Sequence, residues 1–261
     1  VAIGYETMQA NTTASNNTAV GIQALKANTT GTRNVAVGAF AMQANTTGGY
    51  NNAMGVYALD ANTTGVENVA MGDVAISSNT TGSNNTGLGS YALAANTTAS
   101  NNTAVGKGAL TANTTGAQND AFGANTLASN TTGDDNTAIG GWALQNNTTA
   151  DYNVAVGRQA LQQNTTGTRN TAVGRQSMNA NTTGGYNSAL GHNALSLNTT
   201  GTYNAAFGYN SLESSTTAYK NTAFGGFALT VNTTGHSNTA LGYNSLASNS
   251  TGNYNVCIGE R

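Results

Sequence analysis

The sequence predicts an all-β fold, a parallel β-solenoid of about fifteen rungs, on three observations. The tripeptide Asn-Thr-Thr returns every 17 residues from Asn11 onward without insertion or deletion, with Ser215-Thr216-Thr217 and Asn249-Ser250-Thr251 filling the two variant slots. Numbering the repeat from Val1 to Asn17, position 4 is Gly in every rung (Gly4, Gly21, Gly38 and on to Gly259), position 17 is always Asn and position 13 is always Thr. The 261 residues contain no proline. A strict short period means stacked units that rest on their neighbours, and missing proline suits a ladder in which every N–H is needed. Helical repeats are excluded, because 17 residues cannot hold a helix pair and Asn, Thr and Gly are poor helix formers.

Each element of the rung has its own reason. Positions 17 to 4, as in Asn17-Thr18-Ala19-Val20-Gly21, carry the β-formers and predict a first strand. Further strands are expected near positions 7 to 9 and over Asn-Thr-Thr, with Gly and Asn turning the corners. Position 2 is Ala apart from Gly87 and Cys257, position 3 is always apolar, position 7 is small and position 8 is Leu, Met or Ile. Asn11, Asn28 and their successors, and Asn17, Asn34 and theirs, are expected to stack as amide ladders. Stacked at about 4.8 Å per rung, the chain predicts a rod on the order of 70 Å long.

Composition narrows the function classes. Ile, Leu, Val and Phe make up only 39 of 261 residues, yet the net charge is −2, so the signature of disorder is incomplete. Ladder hydrogen bonds must therefore carry unusual weight in stability. With so little net charge, no nucleic-acid partner is expected, and the Arg158–Arg175 pair at position 5 is too small a basic spot to change that. No apolar run approaches the length of a membrane span, so no membrane insertion is expected of this segment. Cys257 sits in an alanine slot as a small buried residue and has no cysteine to pair with.

No catalytic set is visible. His192 and His236 fall at positions 5 and 15, on different corners, and the glycines are corner residues of the period rather than a phosphate loop. Enzyme activity is not expected. Asp134 and Asp151 share position 15 of adjacent rungs with Asp135 beside them, and three carboxylates at rung spacing suit a Ca²⁺ ion. Solvated acidic corners are the plainer reading. No other cofactor is expected.

The strand predicted at positions 17 to 4 is uncharged on both faces apart from Asp120, which suggests burial on both. One face fills the coil; the other is expected to pack on copies of the same chain, most simply in a trimer. Charged and aromatic residues collect instead at positions 5, 6, 9, 15 and 16. Trp142 at position 6 and Tyr152, Tyr186 and Tyr203 at position 16 are the candidates for surface binding, for instance to glycans. Rings shielding neighbouring hydrogen bonds are the plainer alternative. The Asn-Thr-Thr sequons are N-glycosylation acceptors in a suitable host, although they arise from the repeat itself.

The runs Asn34-Val35-Ala36-Val37-Gly38 and Asn153-Val154-Ala155-Val156-Gly157, with the opening Val1-Ala2-Ile3-Gly4, resemble the head repeats of trimeric autotransporter adhesins. The whole unit also looks like repeats of bacterial surface and phage tail-fibre-like proteins. The resemblance spans the chain, with a longer period than those heads. It implies a left-handed β-roll, trimeric association, and a stalk or adhesive role outside the cell or at its surface. The pattern starts and stops in mid-repeat, so residues 1–261 are expected to form one uncapped solenoid belonging to a longer chain or to a filament joined end to end.

The first functional expectation is therefore an extracellular structural protein in a surface fibre or filament. A glycan-binding segment of a tail fibre or adhesin is the second. Ice binding through the threonines is the third; its weak point is that adjacent Thr12 and Thr13 point to opposite faces, leaving one Thr per rung on any side.

Overall fold

The computed structural model describes residues 1–260. The chain is an all-β parallel β-solenoid with sixteen short strands among the described residues, which divide into two compact units, residues 1–133 and 134–260. In the first unit the strands run from β1 (Ala2–Ile3) to β8 (Asp120–Phe122), each paired in parallel with the next. In the second they run from β9 (Thr137–Ile139) to β16 (Val256–Ile258). Register is one whole repeat everywhere within a unit: Ala19 faces Ala36, and Ala155 faces Ala172.

Only one strand forms per rung, not three. It covers positions 1 to 3, as in Thr18–Val20. The segments expected to be strands at positions 7–9 and over Asn-Thr-Thr are turns and bends. The cause is left-handed backbone at positions 6, 8 and 16, with φ of 56° at Gln23, 51° at Leu25 and 60° at Arg33. Side chains with a Cβ occupy that region at a cost of roughly 1–2 kcal/mol each, so the neighbouring rungs must hold them there.

Hydrogen bonds around the coil do so. Gln23 N–H at position 6 donates to Tyr5 O of the rung before at 2.8 Å, and Leu25 N–H at position 8 donates to Ala41 O of the rung after at 3.0 Å. In the strand, Thr18 N–H reaches forward to Asn34 O at 2.9 Å and Ala19 N–H back to Val1 O at 2.8 Å. The ladder thus continues where the strand geometry does not. Position 4 completes the corner: Gly21 has φ of 137°, and a Cβ there would collide with the carbonyl oxygen of Gly38. Glycine is required on both counts.

The core is thin and regular. Position 2 alanines such as Ala19 and Ala36, position 7 alanines such as Ala24, and position 8 residues such as Leu25, Met42 and Leu59 are wholly inaccessible to solvent. One rung departs in a compensated way. Ile76 occupies position 8 and its Cγ1 would lie 2.7 Å from a Cβ on residue 87, which is Gly where other rungs have Ala. Ser177, at position 7, donates its hydroxyl to Ala189 O at 3.2 Å and so avoids an unpaired group in the core.

Candidate functional site

Two columns of buried asparagine run through each unit. At position 11, Asn45 Nδ2 donates to Asn28 Oδ1 at 2.8 Å and to Gly48 O of its own rung at 2.9 Å. Asn28 repeats this toward Asn11 at 3.5 Å. At position 17, Asn17 Oδ1 accepts the backbone N–H of Asn34 at 2.8 Å, while its Nδ2 donates to Gly31 O at 2.8 Å. Asn34 does the same with Asn51 and Gly48. The carbonyl at position 14 is the node: Gly31 O accepts from Asn28 and from Asn17, which uses both of its lone pairs. Asn serves here because a short amide both accepts along the stack and donates across the coil; a hydroxyl cannot do both at this reach.

The strand's outer face carries positions 1 and 3. Position 3 side chains are half to well exposed, among them Met54, Met71, Leu190 and Phe224, with Phe224 at 53%. Phe207 and Phe224 stack at 5.5 Å between ring centroids. Position 3 forms an apolar row within each unit, while position 1 is Thr or Val in most rungs, with Asn52, Ser188, Ala205 and the exposed Asp120 as the exceptions.

The edges hold the aromatic candidates. Tyr186 and Tyr203 stack face to face, 4.9 Å between centroids and 12° between planes. Arg169 lies over both Tyr152 and Tyr186, 5.3 and 5.4 Å from the ring centroids, and donates to the Tyr186 hydroxyl at 2.6 Å. Trp142 has the Arg158 guanidinium 4.9 Å from its ring centre. Phe40 and Tyr57 repeat the stacked arrangement in the first unit. In every case at least one ring face is taken by a residue of a neighbouring rung. A sugar that stacks on an aromatic needs an open face. Such π-contacts were not legible beforehand, since column position does not reveal ring orientation.

Among the acidic candidates, Asp151 Oδ1 accepts the backbone N–H of Asp134 at 2.8 Å. Ser83 and Ser100 show the same position-15 contact in the first unit, where Ser83 Oγ accepts from Val66 N–H and Ser100 Oγ from Ser83 N–H. Asp135 sits beside them in left-handed backbone with φ of 56°. Among the described residues no three Asp, Glu, His or Cys side chains are grouped to hold a metal. His192 stacks on Tyr209 and contacts Arg175 at 3.3 Å, whereas His236 stacks on Tyr219, so the two histidines serve different columns. Cys257 is half-buried. No helix is long and apolar enough to cross a membrane among the described residues.

One polar group stands out that sequence reasoning passed over. Asp60 lines a shallow cleft of about 450 Å³ with Tyr57, Val74 and Ser77, and its Oδ1 has no hydrogen-bond partner. Side chains at position 9 reach back to position 6 of the rung before, as Lys26 does to Glu6 at 2.6 Å and Gln43 to Gln23 at 2.6 Å. The residue at that offset from Asp60 is Phe40, which offers no donor. Burial consequently pushes the Asp60 carboxyl above the ordinary aspartate value, against the pull of its own and Ala61's backbone N–H groups. Glu6 is opposite: the hydrogen bond from Lys26 holds its carboxyl below the usual range.

No known protein-family model matches the chain, and no curated protein matches it at a significant level.

Proposed function

We propose that this chain is an extracellular structural protein whose solenoid units form the shaft of a surface fibre or filament. The observation that carries this reading is the pair of asparagine columns. Nearly all buried polar chemistry is spent joining one rung to the next, and both lone pairs of the position-14 carbonyls are consumed doing it. Such a coil resists local opening, because freeing one rung leaves buried amides unpaired on both sides. That is the property a shaft exposed to proteases and shear requires.

In the same reading the outer face of positions 1 and 3 is where copies of the chain pack laterally. Its position-3 row of half-exposed Val, Leu, Met and Phe, with Asp120 the single charge on the face, has the makeup of an interface core. A trimer is the arrangement implied by the adhesin resemblance. Replacing Phe207 and Phe224 with Asp tests it: sedimentation should fall from an oligomer to a folded monomer. Limited proteolysis and electron microscopy of the unaltered protein test the shaft itself. Protease-resistant, elongated particles support it, and rapid digestion to small fragments sinks it.

A further inference from the structure

The threonines of Asn-Thr-Thr do not lie in a strand, and this changes what they present. Asn at position 11 points inward and is buried, while both following threonines turn outward, position 12 half-exposed and position 13 exposed, rung after rung. The expected opposition of the two threonines is therefore absent. Their roles differ. Position 12 hydroxyls are committed to the stack: Thr80 Oγ1 donates to Thr97 O at 3.1 Å, and Thr97 Oγ1 to Thr114 O at 3.1 Å. Thr81, Thr98 and Thr115 at position 13 make no side-chain hydrogen bond within the protein.

Position 13 is nevertheless Thr in all fifteen rungs, although Ser, Asn or Asp suits an exposed bend as well. Stacking accounts for the other invariant positions: Gly at 4 meets the next rung's carbonyl, and Asn at 17 bonds forward. It does not account for an outward hydroxyl and methyl repeated without exception. The backbone beneath is fixed, as Thr115 N–H donates to Thr131 O at 3.2 Å, and a β-branched side chain has little rotamer freedom. From Ser77 to Thr132 positions 9 and 10 before the column hold only Ala, Ser and Thr, and positions 15 and 16 after it hold only uncharged Ser, Ala, Asn and Gln, so no charge rises on either side.

We propose that the threonine surface of residues 77–132 binds crystalline water. The rung repeat sets the match. Two water oxygens hydrogen-bonded to a common tetrahedral neighbour at about 2.75 Å lie about 4.5 Å apart. Adjacent threonine hydroxyls lie about 4.8 Å apart along a parallel stack. The mismatch of about 0.3 Å per step keeps water bound over three or four rungs within about 1 Å of lattice register. Free position-13 hydroxyls donate to and accept from that water, position-12 oxygens retain an accepting lone pair, and the methyl groups between them hold water in cages rather than competing for it.

The test is slow freezing of the whole chain on a cold surface beside an inert bystander protein, with the amount of each in the ice measured. The unaltered protein should be enriched in the ice severalfold over the bystander and should separate the freezing from the melting point. The triple variant Thr81→Lys, Thr98→Lys, Thr115→Lys should fall to the bystander's level while keeping its circular dichroism spectrum; Thr→Val at the same sites keeps the shape should the lysines disturb folding. Equal partitioning of unaltered protein and bystander overturns the proposal, as does a folded triple variant that still enters the ice. Retention on crystalline polysaccharide with no enrichment in ice overturns it too, and gives the surface to a polymer ligand.

Discussion

In residues 1–133 the position-11 asparagines run unbroken from Asn11 to Asn130, each Nδ2 donating to the Oδ1 before it, with Asn62, Asn79, Asn96 and Asn113 joined at 2.8–3.0 Å. In residues 134–260 the same column runs from Asn147 to Asn198 and then meets Ser215. Two buried oxygens are left without partners there, Asn198 Oδ1 and Ser215 Oγ. The backbone does not respond: Ser215 N–H still donates to Leu212 O at 3.1 Å, and Thr216 N–H still reaches Thr233 O at 3.0 Å. The contrast teaches that no single link holds the coil. Each rung is tied at many points, so one broken amide contact costs free energy locally without changing the path of the chain.

Breaking the intact column should have the largest effect. Asn96 donates to Asn79 Oδ1 and to Ala99 O and accepts from Asn113, so Asn96→Ala removes three buried hydrogen bonds and strands an acceptor. A loss of about 3 kcal/mol is expected from the urea midpoint of unfolding. Asn96→Ser copies the natural defect, unpartnered hydroxyl included, into the first unit and should cost at least as much as the alanine; a smaller cost would mean that the hydroxyl finds a partner there. Next comes the rung marked by Ile76. Gly87→Ala pushes a Cβ against the isoleucine and should destabilise by about 2 kcal/mol, most of it recovered when Ile76→Leu is added. If the double variant is no better than the single, the two residues are not a compensating pair.

Repairing the interrupted column should act in the other direction and more weakly. Ser215→Asn supplies a donor for Asn198 Oδ1 and should raise stability by about 1 kcal/mol, read as an upward shift of the melting temperature. The smallest effect concerns Asp60. Burial raises its carboxyl above the unfolded value, so the folded state holds the proton more tightly. Its contribution is present in full below the unfolded aspartate value and is lost as pH rises through the window above it. Melting measured from about pH 4 upward should therefore show a slight decline that Asp60→Asn abolishes; an unchanged slope in the variant would assign the decline to other groups.

Much of this was legible in the sequence because each rung repeats the same demands. Buried alanine at position 2, a large apolar residue at position 8, glycine at position 4 and inward asparagine all follow from recurrence within the chain. The number of strands did not, yet a signal was present. Positions 7 and 8 are adjacent and both apolar or small, and Ala24 and Leu25 are both buried. A strand cannot turn two successive side chains inward. Non-strand backbone resolves that conflict, here with Leu25 in the left-handed region. Ring stacking at Tyr186 and Tyr203 and the stranded Asp60 oxygen were not legible, because they depend on which residue occupies the neighbouring rung at a reach of one turn or a little more.

Pairing at an offset of one repeat, with alanine opposite alanine, has a kinetic side. A rung that docks on the wrong neighbour, one repeat early or late, satisfies almost the same hydrogen bonds as the correct one, so slippage is nearly neutral in energy and native and displaced stacks compete during folding. The rungs that break the consensus resolve this ambiguity. Isoleucine at 76 fits only above glycine at 87, and a displaced stack would set it against an alanine. Irregularities that look like tolerated errors thus act as alignment marks in a chain whose perfection would otherwise leave it unable to count.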